Sequence, residues 1–274
     1  MSNLKVYSGI AHSWGQLTSP ARPTKDELRI IKEYLKSIRD VSKKGKGMLI
    51  LGATPEFRDI GHELGFNVTL IDINPKMVKA MRFLMKNKKR KENVVRANWL
   101  EMPLPEKSFD VVMGEQSVNI IKVKDYQRFL KQIRKVMKED GILIMKTRVY
   151  VEDLGIKYPV RKYEQKKINM GELMVGLEQD AGRHGAKGIF KLRLKDVGDL
   201  LCRLHREEKI SDKTYNAYQK SFAKLYSSAL TLSILTKRRF DAIFKRYFRI
   251  EAVQYAKDIL HRKIHPIYLA SRKD

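Results

Sequence analysis

The chain is poor in cysteine: Cys202 is the only one in 274 residues. A lone thiol forms no intrachain disulfide and no cysteine-based zinc site, so a reducing setting fits and no metal is expected. The chain is also poor in acid. Asp and Glu number 31 against 57 Lys and Arg, a formal net charge of +26. An excess of one sign opposes compaction and attracts polyanions. Nucleic acid, an anionic membrane surface and an acidic small substrate all suit it, and RNA or another polyanion is a candidate partner. The basic residues are spread along the chain, however, so a Lys-rich solubilising surface is an equal reading. Long apolar runs are missing as well. No stretch approaches the roughly 18 uninterrupted apolar residues of a membrane span. The opening Met1-Ser2-Asn3-Leu4-Lys5 lacks the apolar core of a signal peptide. A cytoplasmic protein with no membrane span is the expectation.

What is present is an ordinary apolar fraction, 43%, enough for a real core in one large domain or one domain with an insertion. Thr24-Lys25-Asp26-Glu27 reads as a capping box. Leu28, Ile31, Leu35 and Ile38 follow at helical spacing. Met48 to Leu51 is a short apolar run, as in a central parallel strand. A helix is expected from Pro55 to Leu64, stopped by Gly65. Asn67 to Ile71 is a second strand, and Pro75 to about Lys88 a second α/β helix, with Pro75 in its first turn. Val94-Val95, Phe109 to Met113 and Ile142 to Met145 read as further strands. Asp125 to Met137 is helical, and Asp140-Gly141 a turn. This alternation predicts a doubly wound parallel sheet. From 151 to about 245 no convincing strand is read, and helices are expected over Leu192 to Arg206, Asp212 to Leu235 and Arg238 to Phe248. Phe248 to Tyr255 and Ile267 to Ala270 read as two final strands. The basic run Lys86 to Lys91, at the expected end of a helix, is either a solvated terminus or a nucleic-acid patch.

An open parallel sheet binds ligands beyond the carboxyl ends of its strands, where strand order reverses. Three segments converge there. One is the turn Gly52-Ala53-Thr54-Pro55-Glu56, where Gly52 admits close backbone approach and the following helix presents free N–H groups. The second is Asp72, twenty residues beyond Gly52, about the spacing at which an acid reaches a ribose hydroxyl pair. Ile73 and Met77 follow it. The third is Asn98-Trp99-Leu100: Asn98 can both donate to and accept from an adenine edge, while Trp99 suits either stacking or the core. Glu115 and Gln116, after the fourth strand, complete the set.

These residues resemble class I S-adenosylmethionine-dependent methyltransferases. The resemblance rests on strand one with Gly52, on Asp72-Ile73-Asn74-Pro75-Lys76-Met77, and on the run from Met102-Pro103-Leu104-Pro105 to Ser108-Phe109-Asp110-Val111-Val112. It covers roughly residues 45 to 148 and resumes at Phe248 to Ala270, similar to the family's terminal antiparallel hairpin. It implies S-adenosylmethionine as cofactor, with Asp72 on its ribose and the Asn98 loop against adenine. The fold it implies is a Rossmann-like doubly wound α/β sheet of seven strands, mostly parallel. An N-terminal lid and helix would span 1–44, the cofactor core 45–150, a helical insertion for substrate recognition 151–247, and the last two strands 248–274. The first motif departs from the family. Ile50 stands where an acid is usual, and Thr54 and Glu56 stand where glycines are. The variant is similar to a Leu-Gly-x-Thr-Pro-Glu subgroup in which Thr54 and Glu56 would contact the methionine end. Trp14, Thr18 and Arg22 precede the core where the family folds a lid, and Arg22 would pair with the methionine carboxylate.

No catalytic residue is assigned, because the sulfonium supplies the electrophile and the protein chiefly orients and desolvates. His12 and His62 are candidate bases. Gly114-Glu115-Gln116-Ser117 lacks the Asn/Asp-Pro-Pro-aromatic box of exocyclic N-methylation, and no Pro-Cys pair exists for cytosine C5 methylation. Lys146 resembles the lysine of ribose 2′-O-methyltransferases. Tyr215, Tyr218, Phe222 and Tyr226 share a helical face that fits core or substrate. Two functions stay open: methyl transfer to a small molecule or RNA, and a non-catalytic Rossmann-like module that binds nucleic acid. A dehydrogenase is a third.

Overall fold

The computed structural model describes residues 14–37, 45–151, 158–185, 188–228, 230–259 and 261–273. After a short turn at Trp14–Gln16, Thr24 caps α1 (Lys25–Ser37). Its hydroxyl accepts from the Glu27 N–H at 3.1 Å, and the Glu27 carboxylate accepts from the Thr24 N–H at 2.8 Å, the reciprocal box the sequence predicts. Ile31 and Leu35 are fully buried; Ile38 lies outside the described residues.

The α/β core then runs β1 (Gly47–Leu51), α2 (Pro55–Glu63), β2 (Asn67–Ile71), α3 (Pro75–Arg82), β3 (Asn93–Val95), β4 (Phe109–Glu115), α4 (Tyr126–Val136) and β5 (Met137–Lys146). Two details differ from expectation. α3 stops at Arg82, not near Lys88, because tertiary partners fold the basic run into a turn. The Asp59 carboxylate accepts from the Lys86 and Asn87 N–H groups at 3.0 and 2.8 Å. The Arg82 guanidinium donates to the carbonyls of Lys88 and Arg90 at 2.9 and 3.0 Å. The run is therefore not a helix terminus. Asp140-Gly141 is not a separate turn before β5 but an irregularity within it, where the pairing jumps from Phe109↔Met137 to Val111↔Ile142.

The insertion comprises β6 (Val149–Tyr150), α5 (Pro159–Glu164), α6 (Met170–Ala181), β7 (Arg183–Gly185), β8 (Ile189–Arg193), α7 (Leu194–Arg206), α8 (Asp212–Ser221), α9 (Ala223–Tyr226), β9 (Thr231–Thr236) and α10 (Lys237–Phe244). Its strands form a second sheet of four, in the order β6-β9-β8-β7, where only helices are expected from sequence. The helix predicted to run from Asp212 to Leu235 breaks up instead. Leu230, Leu232 and Ile234 are buried at every second position and Phe190 and Leu192 likewise, a period of two that a short apolar run does not distinguish from a helix by composition.

β10 (Phe248–Gln254) and β11 (Ile267–Arg272) return to the main sheet. Its seven strands run β10-β11-β5-β4-β1-β2-β3. β1 to β5 pair in parallel, while β11 is antiparallel to both β10 and β5. The sheet is therefore the expected doubly wound one, with an antiparallel terminal hairpin and an insertion between its fifth and sixth strands. Met48, Ile50, Val111, Met113 and Ile144 face one apolar cluster, and Leu49, Leu51, Val112, Leu143 and Met145 the other. Each such side chain contributes roughly 1.5–3 kcal/mol on burial. The first cluster continues through Leu173, Leu177, Leu201 and Phe222 of the insertion, so sheet and insertion share one core.

Candidate active site

Strand order reverses between β1 and β4, and the register sets Leu51 beside Gly114. Gly52 and Glu115, the next residues, thus flank the crevice where a doubly wound sheet binds ligands. A cavity of about 610 Å³ opens there, within the ~300–1,000 Å³ of small-molecule sites. Gly52 has φ +103°, and a Cβ on it would stand 3.6 Å from the Trp99 ring and 3.9 Å from Asp72 Oδ2. Only glycine holds that backbone without strain, so the turn is fixed and its polar neighbours converge on it.

Asp72 does not cap α3. Asn74 does, accepting from the Lys76 and Met77 N–H groups at 3.1 and 3.2 Å. Asp72 Oδ1 accepts from the Asn74 N–H at 2.7 Å, which leaves Oδ2 toward Gly52 and the cavity. Burial pushes its carboxyl up to about 6, against the lowering effect of that backbone bond. Oδ2 of this half-buried carboxylate has no donor among the described residues and is open to one from a ligand. Trp99 serves both core and site: its indole N–H donates to the Ile71 carbonyl at 2.7 Å, its ring packs 6.1 Å from that of Phe129, and it lines the cavity. Asn98 is exposed and lines the cavity too, with Oδ1 accepting from the Leu100 N–H at 3.0 Å.

Ala53, Thr54, Ile73, Met77, Leu100, Gln116 and Trp14 also line the cavity; Pro55, Glu56 and Arg22 do not. Pro55 is the first residue of α2, buried. Glu56 accepts from the Trp14 indole N–H at 3.3 Å and is ion-paired to Arg22. These contacts tie the segment before α1 to α2, and they occupy the Arg22 guanidinium with Glu56. Thr18 ties the same segment to α6, since its hydroxyl accepts from the Gly171 N–H at 2.8 Å.

Behind the crevice, Lys146 is fully buried between two carboxylates, 2.8 Å from Glu27 and 2.9 Å from Glu115. Burial opposes the Lys146 ammonium, but Glu115 and Glu27 together hold its pKa above the usual value. One cation faces two acids, and burial pushes the Glu115 carboxyl up to about 7, with Lys146 opposing and Glu27 adding to the rise. Lys146 is absent from the cavity wall, so it is a counterion to Glu115 rather than a group presented to a substrate.

The far wall comes from the insertion, with Glu178, Leu194, Phe222, Tyr226 and Leu232, and from Arg148 just before it. Arg148 is ion-paired to Glu178, and the Tyr226 hydroxyl donates to Glu178 Oε1 at 2.5 Å. Both ion-pair side chains are nearly inaccessible, 6% and 2% exposed, and removing one partner of such a pair is strongly destabilising. His265 joins this wall. The sequence reading missed Arg148, Glu178 and His265. Glu178 had a weak signal: an acid one turn and a half beyond Glu172, closing the apolar stretch Leu173-Met174-Val175-Gly176-Leu177. His265 had none, because only strand pairing brings it here.

The other candidates lie elsewhere. His62 contacts Glu92 Oε1 at 3.3 Å, next to a buried Arg58–Glu92 pair, away from the cavity. His12 lies outside the described residues. Of the aromatic set, Phe222 and Tyr226 line the cavity, whereas Tyr218 is buried and Tyr215 stacks on His205 at 4.0 Å. Among the described residues no group of His, Cys, Asp and Glu has metal-binding geometry, and no helix is long and apolar enough to cross a membrane.

Comparison with known proteins agrees with the fold. No curated protein matches the chain in sequence. Three solved structures share the fold at low identity. One, from Rhodobacter sphaeroides and described as a candidate Zn-dependent alcohol dehydrogenase, is 17% identical with a TM-score of 0.65, over 100% of this chain and 99% of that one. An S-adenosylmethionine-dependent methyltransferase from Clostridium acetobutylicum is 12% identical, TM-score 0.59, over 98% and 99%. A 1,6-didemethyltoxoflavin-N1-methyltransferase from Burkholderia thailandensis, with S-adenosylhomocysteine bound, is 11% identical, TM-score 0.51, over 100% and 92%. The segment that builds the crevice, residues 52–145, about a third of the chain, matches the family model of a methyltransferase domain.

Proposed function

We propose that the protein is an S-adenosylmethionine-dependent methyltransferase. One observation carries this reading. Gly52, Asp72, Asn98 and Trp99, the positions that resemble the family's cofactor site, meet on one wall of the 610 Å³ cavity at the strand-order reversal. The residues fit the cofactor: Gly52 leaves a cradle that any Cβ would fill, and Asp72 Oδ2 faces it without a donor among the described residues. When bound, S-adenosylmethionine supplies an electrophilic methyl group on its sulfonium. The Asp72 carboxylate accepts from the ribose hydroxyls, a charge-assisted pair of hydrogen bonds. Asn98 offers donor and acceptor to the adenine edge beside the Trp99 ring. α2 starts at Pro55, directly after the cavity-lining Thr54, so its N-terminal end lies beside the crevice. The segment from Trp14 to Ala21 and the insertion exclude water from the cavity, which orients and desolvates the reacting centre. Titration calorimetry tests this. Saturable one-to-one binding of S-adenosylhomocysteine, with none of NAD, is the expected outcome; no binding of S-adenosylhomocysteine overturns the reading.

A further inference from the structure

His265 is 2% exposed, lines the cavity, and has no hydrogen-bond partner for either ring nitrogen among the described residues. Buried polar groups without partners are few in native proteins, and each calls for a reason. Its position is fixed by pairing. β11 runs antiparallel to β5 with Ile267 opposite Lys146, and the Thr147 N–H donates to the Pro266 carbonyl at 3.1 Å. His265 therefore sits alongside Arg148, at the edge of the insertion wall.

The titratable groups facing it are Lys146, Arg148 and His261, the last itself pushed down by burial. Burial first, then the Lys146 and Arg148 cations, push the imidazole pKa well below its usual value, so the ring is neutral at physiological pH. A neutral imidazole carries one donor N–H and one acceptor nitrogen. Around it the donors are already engaged: Arg148 pairs with Glu178, and the Tyr226 hydroxyl donates to the same carboxylate. Of the Glu115 oxygens, Oε1 faces the Lys146 ammonium at 2.9 Å and Oε2 has no donor among the described residues. Open acceptors thus dominate the polar lining, while Val175, Leu194, Phe222, Leu225, Leu230 and Leu232 form apolar walls.

Building on the methyltransferase reading, we infer that this half of the cavity is the acceptor site, and that it takes a neutral molecule with an apolar body and a hydroxyl or N–H that donates to His265. An anion would face Glu115 and Glu178 without an unpaired cation. A cation at His265 would face Lys146 and Arg148. A polynucleotide phosphate fits neither.

The test is ligand-observed NMR titration of the full chain saturated with S-adenosylhomocysteine, using phenol, anisole, benzoate and benzylamine as probes. Phenol should bind about tenfold more tightly than anisole, the worth of one net hydrogen bond, and benzoate and benzylamine more weakly than phenol. His265→Leu should bring phenol down to the level of anisole, and His265→Gln should restore part of the gap. In the wild type, ¹⁵N signals of the His265 ring should shift with phenol and not with anisole, a readout that needs no variant. Equal binding of phenol and anisole, tightest binding of benzoate or benzylamine, a preference that survives His265→Leu, or no probe binding at all overturns the inference. Each of these results leaves S-adenosylhomocysteine binding intact, whereas its loss from the wild type would instead defeat the methyltransferase reading.

Discussion

The two walls of the cavity are made differently. The sheet wall is local: Gly52, Asp72 and Asn98 each follow a strand by a residue or a few, and a turn or cap fixes each one. The insertion wall is assembled over distance. Arg148 meets Glu178, which meets Tyr226 another 48 residues on, and His265 arrives with the terminal hairpin. The first wall offers accessible oxygens to a ligand. The second ties its charges to one another and lends stability to the fold. The lesson is that recognition groups at strand ends can be altered at little structural cost, while those of the insertion cannot.

The largest expected effect separates the walls by stability. Glu178→Ala leaves Arg148 buried without its partner, a loss of about 3–5 kcal/mol. Calorimetric melting should fall by roughly 10 °C for a chain of this size. Asp72→Ala should leave the melting temperature nearly unchanged, because it removes a carboxyl that burial disfavours. An unchanged melting temperature for Glu178→Ala would break the comparison.

Next in size, Asp72→Ala should weaken S-adenosylhomocysteine about 100-fold by titration calorimetry, the loss of two hydrogen bonds to a charged acceptor.

A pH series sharpens the same point. The Asp72 carboxyl titrates at about 6 in the fold against 3.8 ordinarily. In the proposed complex the ribose would use the carboxylate, so S-adenosylhomocysteine affinity should hold above pH 6 and fall about tenfold per unit well below it. Asp72→Asn should flatten that profile. The sign for stability is opposite. A raised carboxyl pKa means that the folded state binds more protons between pH 3.8 and about 6. The stability tied to Asp72 is full below 3.8 and is lost as pH rises through 6.

The smallest effect concerns the basic turn. Lys88 and Lys89 are exposed and belong to neither wall. The double change Lys88→Glu, Lys89→Glu should alter S-adenosylhomocysteine affinity by less than about twofold and stability by no more than about 0.5 kcal/mol.

The same contrast governs what the sequence made legible. The core elements follow from apolar runs of strand length, from Pro75 and the Thr24 box, and from the spacing of Gly52 and Asp72. All are local signals. β8 and β9 escaped because their alternation covers only a few residues and, for β9, continues a helical stretch. α3 ends short of the expected Lys88 because the carboxylate that folds the chain away, Asp59, lies 27 residues earlier than its partner Lys86. Arg22 was read toward a ligand, but its carboxylate partner is Glu56, 34 residues away. Lys146 resembles the lysine of ribose 2′-O-methyltransferases in sequence, yet in the fold Glu27, 119 residues distant, helps bury it. Such pairings depend on the finished fold and leave no periodicity to read.

The central claim is that the sheet wall holds the nucleoside and the insertion wall receives the methyl acceptor. A crystal structure of the complex with S-adenosylhomocysteine tests it most directly. The account predicts the ribose hydroxyls on the Asp72 carboxylate, adenine beside Asn98 and Trp99, and the sulfur facing the half lined by Arg148, Tyr226 and His265. A nucleoside bound away from Asp72, or a sulfur turned from that half, would contradict it.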